Sequence, residues 1–156
     1  MAPQDLPASR TLLLLTVMSY GLVNSVLYIA EMPVLKAILA AATELGLMAL
    51  LSYVLLWIRL LSNRWLQTLT ALMGTGAVLA VLVLPFWFWQ AGVSQSAVAV
   101  IPALVILGFM VWNLIVVAHI LRHALTIPFV LGGTFSAVYM YIAWRVMSLL
   151  FFSEPR

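Results

Sequence analysis

The sequence predicts an all-α fold, a polytopic bundle of five helices each long enough to cross a bilayer. Three observations carry that prediction. Hydrophobic residues fill 66% of the 156 positions and charged residues only 7%, against about 25% charged in a soluble domain. The mean hydropathy is +1.20. Five apolar runs reach the roughly 20 residues that a ~30 Å hydrocarbon core needs at about 1.5 Å per residue. No water-exposed domain of useful size fits such a composition, so residues 1–156 read as one transmembrane domain with a short polar tail at 1–10.

The spans fall at residues 11–30, 37–58, 66–89, 98–121 and 129–152. The first, opening at Thr11 behind the polar MAPQDLPASR, is longer than a signal-peptide core and has no small-x-small cleavage site after it, so it reads as a retained signal-anchor. Glu31-Met32-Pro33 through Lys36 separates it from the second, and Arg59 to Arg64 separates the second from the third. Gln90 to Ser96 follows the third span, and Arg122 to Pro128 precedes the fifth. Each break holds a charge, a proline or a turn-former, and breaks this short make successive helices antiparallel neighbours. Pro33 and Pro128 sit at similar joints, but the flanking residues do not align as a repeat.

Charge orients the bundle. Arg10, Arg59, Arg64 and Arg122 share one side, Lys36 and Arg156 the other. The basic excess places the N-terminus in the cytoplasm and the C-terminus outside. The Phe86-Trp87-Phe88-Trp89 run and Phe151-Phe152 mark the outer interface, Trp57 and Trp65 the inner one. The net charge of +3 is spread over single residues and is no nucleic-acid footprint. With no cysteine, thiol catalysis, disulfides and thiolate metal sites are excluded. No nucleophile–base pair, carboxylate dyad or H-E-x-x-H motif occurs, so the chain reads as non-enzymatic and without a cofactor.

The polar residues inside the spans remain. Glu44 is the one full charge inside the second span, where a carboxylate costs roughly 3 kcal/mol at the membrane centre. It lies about 10 Å below the outer end of its helix. Arg145 in the fifth span and Asn24 in the first lie at similar depth. The expectation is a polar layer of Glu44, Arg145, Asn24 and Tyr141 built on a Glu44–Arg145 ion pair, with snorkelling of Arg145 to the headgroups as the rival. Thr134, Tyr141, Arg145 and Ser148 share one helical face, and Thr16, Tyr20, Asn24 and Tyr28 recur every four residues on another. Ala37, Ala40 and Ala41 around Glu44 form a small-residue face that makes the second span the expected inner helix of the bundle. These stripes either line a polar cavity or join packed helices.

His119 and His123, at i and i+4, could share a metal or face a haem, but no carboxylate supports them. The plainer reading is an interfacial polar pair beside Arg122. Asn113 is expected to donate to a neighbouring helix. Gly74-Thr75-Gly76, Gly108 and Gly132-Gly133 read as packing sites; Gly132 and Ser136 have the small-xxx-small spacing.

Two stretches, RWLQTLTALMGTG from Arg64 to Gly76 continuing to Pro85, and WNLIVVAHILRHAL from Trp112 to Leu125, resemble small bacterial inner-membrane proteins of Yip-domain type. The resemblance implies five spans, a cytoplasmic N-terminus and a C-terminus across the membrane. The eukaryotic Yip proteins meet small GTPases, but their long cytosolic N-terminal region has no counterpart in the ten residues before the first span, so that partnering is not carried over.

The expected role is therefore a scaffold or accessory subunit of a bacterial cytoplasmic membrane, contacting lipid and either other membrane proteins or a second copy of itself. The competing class is a small transporter or channel using Glu44, Arg145 and Asn24. The scaffold needs that layer dry; the transporter needs it wet. A haem-bearing redox subunit is the third class.

Overall fold

The structure is a computed structural model that describes residues 3, 6–94 and 96–152. Asp5, Gln95 and Arg156, which entered the tail, the third break and the charge balance, lie outside the described residues, as does the side chain of Phe152.

Five helices form, all long and apolar enough to cross a membrane. The chain is an integral membrane protein. Helix α1 spans Arg10–Ile29, α2 Val34–Ile58, α3 Trp65–Val93, α4 Val100–Leu125 and α5 Phe129–Met147, the last continuing as one π-helical turn over Ser148–Phe152. The Ser9 hydroxyl caps α1 by accepting from the Leu12 N–H at 3.3 Å. Pro33 and Pro128 stand just before α2 and α5 at φ −57° and −58°, pre-set for helix entry and lacking an N–H that would go unpaired there. That places Lys36 inside α2 rather than in the break.

Helix α3 runs through Pro85 to Val93; a proline removes one backbone bond without ending a transmembrane helix whose neighbours hold it. Helix α4 continues four residues past the expected end, to Leu125. It stops where Thr126 takes a left-handed φ of 54° and the Ile127 N–H returns to the Arg122 carbonyl at 3.1 Å. Leu60, at φ 56°, ends α2 in the same way.

Helix α1 packs most extensively on α3 and α2, α3 on α4, and α4 on α5. Around the bundle the order is α2, α1, α3, α4, α5, with a thinner seam where α5 meets α2. The alanine face of α2 is buried as expected, with Ala37, Ala40 and Ala41 all at 1% exposure or less. The inner helix is α3, not α2: 39% of its apolar window is buried against 22% for α2. Its threonines hide this from a reading based on polarity. Thr68, Thr70 and Thr75 each donate to a carbonyl four residues back, at 2.9, 2.7 and 2.7 Å, and so need no partner from another helix.

Below the level of Glu44, the core is a cluster of Met48, Leu56, Leu69, Leu72, Met73, Leu121, Ala124 and Leu125. Polar ties between helices add to it. Trp65 donates its indole N–H to the Ala49 carbonyl at 3.2 Å, and the Ser136 hydroxyl donates to the Leu114 carbonyl at 3.0 Å. The second tie sits beside Gly132, where an added Cβ would lie 2.6 Å from the Ala118 carbonyl oxygen. The small-xxx-small pair thus sets the closest approach of α5 to α4.

Candidate functional site

The site begins on one face of α1. Tyr20, Asn24 and Tyr28 recur every four residues and therefore stack along one side of the helix. Tyr20 and Tyr28 stand about 12 Å apart along the axis, and both phenols turn toward the point between them. Glu44 of α2 occupies that point. The Tyr20 hydroxyl donates to Oε1 of Glu44 at 2.9 Å, and the Tyr28 hydroxyl donates to Oε2 at 2.9 Å. Each carboxylate oxygen thus accepts from its own phenol, which spreads the charge and offsets part of its removal from water.

Tyr20 reaches this position because α3 gives way at Gly76. A Cβ there would come within 2.6 Å of the Tyr20 Cε2, so only glycine admits the ring. This gives the Gly-Thr-Gly run a specific task. Asn24, midway between the tyrosines, is buried and donates back to the Tyr20 carbonyl at 2.9 Å.

Glu44 makes no ion pair among the described residues, and the expected bond to Arg145 is absent. The stripe of Thr134, Tyr141 and Arg145 lies exposed on the outward side of α5, with Tyr141 61% exposed and its ring tilted at 46° to that of Trp144. Polarity alone points this stripe inward, but close packing at Gly132 and Ser136 turns it to the surface. The inward face carries Ser136, Tyr139, Ala143 and Met147 instead. Tyr139 lies seven residues from Gly132 and three from Ser136, so extending the small-residue line along the helix would have found it.

Beside Glu44 is a cavity of about 530 Å³ lined by α1 (Tyr28), α2 (Glu44), α3 (Trp87), α4 (Met110, Asn113) and α5 (Ser136, Tyr139, Met147). A second lobe of about 140 Å³ adjoins it, lined by Tyr20, Asn24, Gly76 and Ile106. Glu44, Trp87, Met110 and Asn113 line both lobes. Glu31 of the α1–α2 turn and Ser148 at the end of α5 line the mouth, on the membrane face that carries this turn. Desolvation there raises the Glu31 carboxyl above its ordinary range. The Tyr139 hydroxyl is buried and has no hydrogen-bond partner among the described residues. Asn113, expected to bond a neighbouring helix, makes no such bond among the described residues and faces both lobes.

Trp87 turns inward, half-buried, while Phe88 and Trp89 beside it face outward. The aromatic run therefore splits between cavity wall and membrane boundary. His119 and His123 lie on α4 at the opposite end of the bundle, their rings edge-on at 4.6 Å. Among the described residues no three His, Asp, Glu or Cys side chains gather into a metal-binding group. No family model matches the chain, and neither does any curated protein or solved structure.

Proposed function

We propose that this chain is a small transporter of a bacterial cytoplasmic membrane, non-enzymatic, that takes up a polar or charged solute at Glu44. The N-terminus is cytoplasmic in this reading, from the basic excess at Arg10, Arg59, Arg64 and Arg122, so the cavity mouth at Glu31 faces outward. One observation carries the choice over a scaffold: Glu44 lines a cavity to which all five helices contribute. An ionisable group kept inside a membrane bundle marks a solute or proton path more often than a joint. The core of Met48, Leu72 and Leu121 closes the other side, so passage requires a second arrangement of the helices. That favours a transporter over an open channel. A Yip-type architecture is compatible with this role through its five spans alone.

Cysteine labelling tests the reading, on a background free of native cysteine. Tyr139→Cys and Ser136→Cys should react with a membrane-impermeant thiol reagent added outside, and Leu72→Cys should not. A Tyr139→Cys protein as inert as Leu72→Cys would favour the dry scaffold.

Association with other membrane proteins or a second copy keeps one support of its own. An apolar groove of about 980 Å³ runs between α1, α2 and α3, bordered by Gly21, Ala42, Val78 and Leu82, a shape that admits a further helix. Disulfide-linked dimers of Ala42→Cys in native membranes would support self-association; monomer alone would count against it.

A further inference from the structure

We propose that the Glu44 site binds an organic ammonium ion, with its nitrogen between the carboxylate and the surrounding aromatic rings and its apolar body in the larger lobe. This deepens the transporter reading above and rests on it.

Glu44 has two phenol donors and no basic partner among the described residues. A carboxylate held away from water needs a counter-charge or a proton, and a counter-charge can reach Glu44 through the cavity it lines. Tyr28, Trp87 and Tyr139 come from three different helices to line the same space. Aromatic faces attract cations, and several rings around one acid are the arrangement that recognises alkylated ammonium groups.

Organic and inorganic cations need different surroundings. A bare divalent ion needs about six or more oxygen ligands, whereas both Glu44 oxygens are already engaged by phenols. Met110, Met140 and Met147 fill much of the remaining wall; their soft, adaptable side chains suit an apolar body and offer nothing to a hydrated metal. The Tyr139 hydroxyl is buried with no partner among the described residues. Its oxygen lone pairs can face the positive head, meeting an N–H or the polarised N-methyl groups of a quaternary ion alike, which gives a use to a group otherwise costly to bury. A lobe of about 530 Å³ lies in the range of small-molecule pockets.

The test uses the full chain in lipid nanodiscs and three water-soluble probes that share one ring: benzyltrimethylammonium, neutral phenylacetamide and anionic phenylacetate. Binding is read from quenching of tryptophan fluorescence, corrected with empty nanodiscs. Benzyltrimethylammonium should bind at least tenfold more tightly than phenylacetamide, with phenylacetate weakest, and Glu44→Gln should bring the cation down to the level of the amide. Equal binding of all three probes, or cation binding unchanged in Glu44→Gln, would overturn the proposal. Should Glu44→Gln not yield monodisperse protein, Trp87→Leu decides. A fivefold or greater loss for the cation with the amide held within twofold supports the proposal; equal losses for both contradict it. If Tyr139→Cys is labelled from outside yet the probes bind alike, the cavity reading stands and the cation assignment falls. If Tyr139→Cys is inert, both fall.

Discussion

Gly76 of α3 and Tyr20 of α1 fit together so closely that a single added carbon would lie 2.6 Å from the ring. The ring so placed donates to Glu44 at 2.9 Å, which makes a glycine on one helix a determinant of an acid's surroundings on another. Gly76→Ala is expected to cost about 1–3 kcal/mol by overpacking and to weaken the Tyr20–Glu44 bond. Two turns of ring contact are not at stake at Gly74, where a Cβ meets only the Thr16 methyl at 3.4 Å. Gly74→Ala should therefore stay within about 0.5 kcal/mol of wild type. Reversible unfolding in mixed micelles measures both.

The two phenols act on one carboxylate, so their deletions should not add. Tyr20→Phe and Tyr28→Phe are each expected to cost about 0.6–1.7 kcal/mol, the range of hydrogen bonds inside membrane bundles. In a Glu44→Gln background each should cost less, with a coupling of about 0.5 kcal/mol or more. A double-mutant cycle for each pair gives the number, and a coupling near zero would mean that the phenols stabilise the bundle without regard to the acid.

Arg145 separates the sequence's expectation from the observed site. It is exposed on α5 and makes no bond to Glu44. Arg145→Ala should change stability by no more than about 0.5 kcal/mol, and Arg145→Glu should not rescue Glu44→Arg in expression or folding. Rescue by the reversed pair would restore the ion-pair view.

Contact between α4 and α5 depends on small residues at two positions. Gly132→Ala puts a methyl against the Ala118 carbonyl, a backbone atom that cannot turn aside. It is expected to cost about 1–3 kcal/mol, more than the roughly 0.6 kcal/mol for Ser136→Ala, which loses only the bond to Leu114. Unfolding of the two variants side by side gives the order.

The five spans were legible because a membrane imposes length and apolarity on every helix, and both can be read residue by residue. The tyrosine stripe of α1 and the alanine face around Glu44 were legible for the same reason, each being a period within one helix. What escaped was pairing between helices. Arg145 and Glu44 share a depth, but depth says nothing about the direction of a side chain around its axis. On α5 that direction is set by Gly132 and Ser136, whose effect depends on the Ala118 and Leu114 carbonyls of another helix. On α3 the threonines satisfy themselves along their own helix, so their burial left no unpaired polarity to be noticed. Trp87 looked like its neighbours Phe88 and Trp89, and only the crossing of α3 with the other helices turns it inward.

The central claim is that a solute passes through the bundle by way of Glu44. Proteoliposomes holding wild type or Glu44→Gln, with an inside-negative potassium diffusion potential, measure this directly as uptake of benzyltrimethylammonium. Wild type should take up the cation several-fold faster than Glu44→Gln, which should match protein-free liposomes. Uptake by wild type at the protein-free rate, or equal uptake by the two proteins, would contradict the claim.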